Sequence, residues 1–139
     1  MISSIGSKLN LQYHLRDCGK HSLCFEVYHK TVKVGTLVYC TRDDDMAGLY
    51  IQSIYVNEKW QRKYIGTFLI YLLAREAKRL RYWTIFLDNV LESTNLFYQK
   101  LGFIFTYFEN GKPMDNEMHV KTHNLLQILE NYEKLYCET

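Results

Sequence analysis

Residues 49–81 read LYIQSIYVNEKWQRKYIGTFLIYLLAREAKRLR, and a change of hydrophobic period divides this stretch in two. Leu49 to Val56 is rich in β-branched and aromatic residues, which is typical of a half-buried strand. Tyr82 to Leu87 is a second apolar run of strand length. Gln61 to Arg81 is long enough for a crossover, so we predict a parallel strand–helix–strand unit. The apolar residues of this helix follow the three- and four-residue steps of one helix face, at Ile65, Leu69, Leu72, Leu73, Ala77 and Leu80.

The segments that flank this unit complete the predicted fold. Three strands precede it as an antiparallel meander, with breaks short enough for hairpins, at Lys8 to Leu15, Leu23 to Lys30 and Val32 to Cys40. After it, a short helix capped by Ser93 or Thr94 ends at Leu101-Gly102. The remaining predicted elements are a strand at Phe103 to Phe108, a turn at Asn110 to Pro113, a strand at Met118 to Thr122 and a C-terminal helix at Asn124 to Tyr136. The fold class is therefore α+β, with a mixed sheet of six or seven strands.

The composition fits one globular domain over residues 1–139. A chain that is 47% hydrophobic and 23% charged is neither disordered nor collagen-like. No apolar run approaches the roughly 20 residues that span a bilayer, and the start lacks a signal peptide's apolar stretch, so we expect a cytoplasmic protein without membrane contact. The four cysteines have no C-x-x-C pair and predict neither a metal site nor a disulfide framework: Cys18, Cys24, Cys40 and Cys137.

The charge of the chain is unevenly distributed. Lys59 to Arg81 carries seven basic residues and one acid, a net charge of +6 that leaves −4 for the rest of the chain. Such a segment suits a compact polyanion, or it is simply a solvated helix face. The pI of 8.3 lies below the value of about 9 that is typical of nucleic-acid-binding domains, so we expect no nucleic-acid partner.

The predicted start of the long helix, Gln61 to Thr67, has the chemistry of an anion site. Free N–H groups and the positive end of the helix dipole meet there, and acidic residues or Ser normally compensate them. Here Arg62 and Lys63 stand instead, and no acid occurs between Lys59 and Arg75. A phosphate would remove this conflict, and Gly66 would let the backbone approach it closely. The alternative is that both cations point into solvent at small cost.

The order of these segments resembles the GNAT acyltransferase superfamily. Its loop-helix motif, Arg/Gln-x-x-Gly-x-Gly/Ala, is similar to Gln61-Arg62-Lys63-Tyr64-Ile65-Gly66. Its later motif, Tyr-x-Lys-Leu-Gly-Phe, is matched from Tyr98 to Phe103. The resemblance covers about residues 48–108 and implies an acyl-CoA-binding core, in which a splayed mixed sheet holds acetyl-coenzyme A (acetyl-CoA) between the fourth and fifth strands.

The resemblance also implies roles for individual residues. The stretch Ile54-Tyr55-Val56 would bind the pantetheine arm, through the backbone of Ile54 and Val56. Tyr98 takes the position of the general acid, a phenol that protonates the departing thiolate. The implied reaction is direct transfer of an acetyl group from the thioester to an amine. The pyrophosphate would be bound by the seven residues Gln61, Arg62, Lys63, Tyr64, Ile65, Gly66 and Thr67.

Three positions depart from the family pattern. Tyr64 stands where the first loop glycine is usual, and Leu91 stands where an asparagine is frequent. Gln52 occupies the position of a glutamate that serves some members as a base, and an amide cannot accept a proton at neutral pH. The base is therefore left open among residues that follow the sixth strand, and the candidates are Glu109, Asp115, Glu117 and His119.

Leu15 to Leu23 has room only for a turn where the family inserts helices that line the acceptor site. This favours an open cleft and a bulky amine acceptor such as a protein side chain, although a small-molecule acceptor and a monomer or homodimer all remain open. The alternative function is an inactive GNAT-like binding module that retains or has lost coenzyme A. A third interpretation is a nucleic-acid or partner-binding domain, based on the +6 segment and the aromatic content.

Overall fold

The computed structural model describes residues 10–19, 21–42, 47–88 and 92–137. Its strands are β1 (Leu11–Gly19), β2 (Ser22–His29), β3 (Val32–Arg42), β4 (Gly48–Val56), β5 (Thr84–Leu87), β6 (Ile104–Glu109) and β7 (Lys112–Lys121). Its helices are a 3-10 turn (Glu58–Trp60), α1 (Ile65–Arg79), α2 (Glu92–Lys100) and α3 (Thr122–Cys137).

The seven strands form one mixed sheet in the order β1-β2-β3-β4-β5-β7-β6. β1 to β4 are an antiparallel meander, as predicted. β4 and β5 pair in parallel across the crossover helix α1, which confirms the predicted strand–helix–strand unit. The α+β class and the seven-stranded mixed sheet are thus confirmed.

Several predicted boundaries are wrong by a few residues. β1 continues to Gly19 because its second half pairs with β2, and Lys8 and Leu9 lie outside the described residues. α2 begins at Glu92, so Ser93 and Thr94 lie within the helix and not at its cap. α3 begins at Thr122, the residue predicted to end the last strand.

The hairpin between β6 and β7 is tighter than predicted. Asn110 and Gly111 both have positive φ, 52° and 76°, which is the backbone of a two-residue hairpin turn. β7 therefore starts at Lys112, and Pro113 lies in the strand opposite Phe108, where only β6 pairs with it. Proline is tolerated at such an outer position because its missing N–H is not needed by a second neighbour.

The described helices pack on one face of the sheet. α1 presents an almost continuous apolar surface, and a single buried cluster joins it to β2–β5, β7, α2 and α3. Leu80 is the exception to the predicted stripe, because it caps α1 and is 40% exposed. The basic residues Arg75, Lys78 and Arg79 lie on the outer side of α1, as the amphipathic pattern predicted.

The opposite side of the sheet is the helix-free face, defined by a row of paired residues that crosses four strands: Cys40, Tyr50, Phe86 and His119. Each residue in this row directly follows a residue of the buried cluster that packs against the helices. Because successive side chains in a strand point to opposite faces, these four side chains point away from the helices. Among the described residues, no helix lies between β1 and β2. Within the described residues, no helix packs on this face.

In the described part of the chain, no helix is long and apolar enough to cross a membrane.

Candidate active site

The parallel pairing of β4 and β5 is short, and a gap opens where it ends. Only Leu49–Ile51 pair with Ile85–Leu87, whereas β4 continues beside β3 as far as Val56. At the end of the pairing β4 has a bulge at Gln52, because Ser53 is opposite Val38 and Ile51 is opposite Tyr39. A bulge bends the strand that contains it. The sequence therefore builds the predicted splay directly beyond Ile51.

Backbone groups of β4 line this gap at two of the predicted positions. The N–H of Asn57 donates to the carbonyl of Val34 at 2.8 Å, which makes this a hydrogen-bonded antiparallel pair. Pairs alternate along such a ladder, so the N–H and C=O groups of Val56 and Ile54 point away from β3 and into the gap. The backbone of Tyr55 points towards β3 instead, and its side chain is 66% exposed.

The loop from β4 to α1 is a compact structure with two strained residues. The Asn57 side chain accepts a hydrogen bond from the backbone N–H of Lys59 at 3.0 Å and so caps the 3-10 turn. The Gln61 amide donates to the Val56 carbonyl at 3.2 Å. Arg62 and Tyr64 both adopt the left-handed region, with φ of 64° and 66°. The loop therefore turns twice without glycine before α1 begins at Ile65.

This geometry corrects the predicted helix start. Arg62 and Lys63 precede the first turn of α1 and are not part of it. Tyr64 is the N-cap residue, but its side chain makes no capping hydrogen bond, and the first turn of the helix contains no acid. The first N–H groups of a helix have no partner within the helix, so those of Ile65, Gly66 and Thr67 are directed at the space in front of α1. Such a terminus fits an anion.

The seven basic residues of the +6 segment do not form one patch. α1 has 15 residues and is therefore about 22 Å long, which separates the cations at its two ends. At the C-terminal end, Lys78 and Arg79 complement the helix dipole, and Arg79 also pairs with Glu76. Only three of the seven, Lys59, Arg62 and Lys63, lie on the N-terminal side of the helix.

We expect Tyr64→Gly to make the protein more stable than Tyr64→Ala by about 1 kcal/mol. The left-handed conformation costs a residue with a Cβ about 1–2 kcal/mol, and glycine avoids this cost at the price of a more flexible unfolded chain. Both variants lose the same tyrosine side chain, so their difference isolates the backbone. Urea unfolding of the two proteins measures it, and equal midpoints would show that the turn carries no strain.

α2 brings Phe97, which precedes Tyr98, next to the start of α1. A Cβ built on Gly66 would lie 3.5 Å from the ring of Phe97, the residue before Tyr98. Tyr98 is 7% exposed, with ring centroids 5.1 Å from Phe97 and 5.5 Å from Phe103. Its carbonyl accepts hydrogen bonds from Leu101 and Phe103, which closes the helix at the Leu-Gly-Phe sequence. Burial raises the pKa of the Tyr98 phenol.

Gln52 and the candidate bases lie in different environments. Gln52 is exposed and accepts a hydrogen bond from the Ser22 hydroxyl at 2.7 Å. His119 lies in β7, its Nδ1 is 2.9 Å from the Thr106 hydroxyl, and burial lowers its pKa. Glu117 also lies in β7 and is buried. Leu91 and the side chains of Glu109 and Asp115 lie outside the described residues.

Glu117 lines a cavity of about 320 Å³ on the helix-free face, together with Cys40, Thr41, Arg42, Tyr50 and Asp88. The Arg42 guanidinium donates to Glu117 Oε1 at 2.6 Å and lies 4.5 Å from the centre of the Phe86 ring. Burial and a hydrogen bond to Asp88 raise the pKa of Tyr50. Sequence reasoning missed every lining residue except Glu117. One signal was present, because Asp88 directly follows a parallel strand, where ligand-binding residues of such sheets often lie.

Comparisons with known proteins agree with this geometry. The profile of the acetyltransferase (GNAT) domain matches residues 20–105. A Bacillus subtilis acetyltransferase in complex with CoA is 18% identical, with a TM-score of 0.63 over 80% of this chain and 98% of that chain. The AtaTR complex bound with acetyl-CoA contains a chain that is 14% identical, with a TM-score of 0.64 over 85% of this chain and 97% of that one.

A third similar structure is the ribosomal-protein-S18-alanine N-acetyltransferase from Escherichia coli. It is 18% identical, with a TM-score of 0.60 over 76% of this chain and 72% of that chain. At these identities the likeness concerns the fold. The comparison with curated proteins gave no match. Because the domain profile covers more than half of the sequence and the fold agrees with it, the chain belongs to the GNAT acetyltransferase family.

Proposed function

We propose that the protein is an N-acyltransferase that moves an acetyl group from acetyl-CoA to an amine by direct attack on the thioester. The observation that carries this proposal is the gap between β4 and β5, which leads to the uncapped N-terminus of α1. The pantetheine arm of a CoA thioester would fit the gap, and its pyrophosphate would fit the N-terminus of the helix. Solved structures with this fold include complexes with CoA and with acetyl-CoA.

The pantetheine arm would lie along the edge of β4 that faces the gap. The N–H groups of Ile54 and Val56 and the carbonyl of Ile54 offer it donors and an acceptor in the manner of a missing neighbouring strand, while the Val56 carbonyl accepts from Gln61. Tyr55 would contribute through its exposed side chain only, since its backbone is turned towards β3. A backbone N–H at the bulge would polarise the thioester carbonyl, as an oxyanion hole does.

The pyrophosphate would be bound by the loop and the first turn of α1, residues 61–67. The N–H groups of Ile65, Gly66 and Thr67 supply donors, and the helix dipole adds a positive potential. Arg62 and Lys63 add charge from the loop in front of the helix. Lys63 lies with its Nζ 5.2 Å from the centre of the Trp60 ring, which holds this cation at the loop. Tyr64 stands in a turn that glycine usually makes, and we infer that its partly exposed ring lies beside the pyrophosphate.

Tyr98 would be the general acid. A tyrosine phenol has an ordinary pKa of about 10 and is already neutral at pH 7, and burial raises the pKa of Tyr98 further, so it holds a proton for the departing thiolate. The contact of its neighbour Phe97 with Gly66 ties α2 to the proposed pyrophosphate site. The acceptor amine would come from the helix-free face, where a small molecule or a protein side chain has access.

Binding of acetyl-CoA tests the proposal. At 100 times its dissociation constant, acetyl-CoA should raise the unfolding free energy by about 2.7 kcal/mol, which a thermal melt detects. Release of free CoA thiol in the presence of an amine measures transfer. If the melt shifts but no acceptor yields thiol, the protein is a binding module, whereas no shift with any CoA ester would contradict the acyltransferase proposal as a whole. Cytoplasmic location, a monomeric or homodimeric state and the lack of a nucleic-acid partner stay predictions.

A further inference from the structure

The cavity on the helix-free face lies at the point where the gap opens. Leu87 is the last residue of β5 that pairs with β4, opposite Ile51, and on its other side it pairs with Met118. Asp88 directly follows Leu87, and Glu117 directly precedes Met118 in the antiparallel partner, so both lie one step beyond this pair. They therefore flank the end of the β4–β5 pairing, beside the bulge at Gln52.

The polar groups of the cavity leave a hydrogen-bond acceptor unused. Glu117 is 9% exposed, and its Oε2 is shut off from solvent without a hydrogen-bond partner among the described residues. Its other oxygen is bound by Arg42, whose guanidinium also lies over the Phe86 ring. A buried carboxylate oxygen that lacks a donor is costly, so an N–H donor from a ligand would stabilise this site once the carboxylate turns Oε2 towards the cavity.

The charge of the cavity indicates the sign of that ligand. Among the described residues, the lining includes two carboxylates, Asp88 and Glu117, and one guanidinium, Arg42, and these three give a net charge of −1. The Tyr50 hydroxyl is hydrogen bonded to Asp88. A group that donates several hydrogen bonds and carries a positive charge complements this set, and a primary ammonium is the simplest such group.

We propose that this cavity is the acceptor site, that it takes the primary ammonium of a flexible aliphatic chain, and that Glu117 Oε2 accepts the proton lost from the nitrogen during transfer. This inference rests on the proposed acetyl transfer. It supplies the base that is missing at Gln52, from β7 instead of β4. A volume of about 320 Å³ is at the lower end of the range for small-ligand pockets and is sufficient for one unbranched side chain.

Transfer at this site begins when the bound ammonium releases one proton to water, which leaves a neutral amine with a lone pair. That lone pair forms a C–N bond with the thioester carbonyl carbon while the C–S bond breaks. The second proton passes from nitrogen to Glu117 Oε2, and the Tyr98 phenol protonates the departing thiolate. After the product leaves, water enters the emptied site, takes the proton from Glu117 and returns one to the Tyr98 phenolate.

Binding of n-butylammonium to the full chain tests the site without acetyl-CoA. In a titration followed by amide NMR shifts, the signals of Asp88 and Glu117 should move, and n-butanol of similar shape should move them at least about tenfold less. Glu117→Gln and Asp88→Asn should each abolish most of the response. The amide oxygen of Glu117→Gln would still accept the Arg42 hydrogen bond, and Asp88 is exposed, so the second variant tests the site even if the first fails to fold. Equal shifts with the alcohol, or unchanged shifts in a folded Asp88→Asn variant, would overturn the proposal.

Transfer kinetics distinguish this inference from the proposed function. With Nα-acetyl-lysine amide as acceptor, we expect Glu117→Gln to lower kcat/KM by about 10²-fold, the lower end of the usual contribution of a general base, and to leave the Kd of acetyl-CoA unchanged. Glu76→Gln, which removes one charge on α1, is the matched control and should keep full activity. A wild-type protein that binds acetyl-CoA but prefers aniline to the alkylamine would overturn the inference alone. Loss of acetyl-CoA binding in the wild type would instead contradict the proposed function.

Discussion

Replacing Tyr98 by phenylalanine should lower the rate of acetyl transfer by about 10²- to 10⁴-fold, the usual contribution of a positioned acid. The phenol is buried among aromatic rings, so loss of one oxygen leaves its packing intact. The Kd of acetyl-CoA should therefore change by less than about twofold. Steady-state release of CoA thiol and a binding titration measure the two quantities. Because burial raises the pKa of this phenol, the wild-type rate should not decline through loss of its proton at any pH below about 10.

Tyr39→Phe is the matched control for this substitution. Tyr39 is also buried, and its ring stacks on Phe25 of β2, whereas Gly66 and Phe97 lie at the N-terminal end of α1. Its hydroxyl has no hydrogen-bond partner among the described residues, so its removal should not destabilise the fold. The control should turn over acetyl-CoA at the wild-type rate. Equal rates for Tyr98→Phe and Tyr39→Phe would remove Tyr98 from the mechanism.

The sequence was sufficient to predict the sheet because its elements differ in hydrophobic period. The switch after Val56 fixes the strand–helix–strand unit, and the turn residues around Gly19 and Lys30 fix the meander. Helix ends were less predictable. The spacing of apolar residues does not predict the backbone angles of Arg62 and Tyr64. Both adopt the left-handed conformation, so α1 begins only at Ile65. Their position depends on the loop's own hydrogen bonds, which no local pattern encodes.

The candidate site also has one part that could be predicted from the sequence and one part that could not. The loop and the Tyr98 helix are each contiguous in sequence, so a motif could identify them, and the proximity of Gly66 to Phe97 then joins them in space. The cavity draws its residues from β3, β4, β7 and the end of β5. Arg42 and Glu117 are 75 residues apart and meet only because β7 inserts between β5 and β6. A contact between residues so far apart in sequence depends on the order of the strands in the sheet. The hydrophobic pattern of each strand does not determine that order.

Gly66→Asp should have opposite effects on the empty protein and on acetyl-CoA binding. Gly66 has no positive φ, and a Cβ there would meet the Phe97 ring at an ordinary contact distance of 3.5 Å. A carboxylate in the first turn of α1 interacts favourably with the helix dipole, and glycine is a poor helix former, so the unfolding free energy should rise by about 1 kcal/mol. Urea unfolding without ligand measures this gain.

The same carboxylate would lie where the pyrophosphate is proposed to bind, and it would repel that anion while competing for the N–H groups of α1. We expect the Kd of acetyl-CoA to rise at least about 100-fold, which corresponds to about 2.7 kcal/mol. Gly66→Asn has nearly the same shape without the charge, so it should retain most of the affinity. Since the variant is expected to be more stable than the wild type, weaker binding cannot be ascribed to unfolding. A titration in which Gly66→Asp binds acetyl-CoA as tightly as Gly66→Asn would show that the pyrophosphate lies elsewhere.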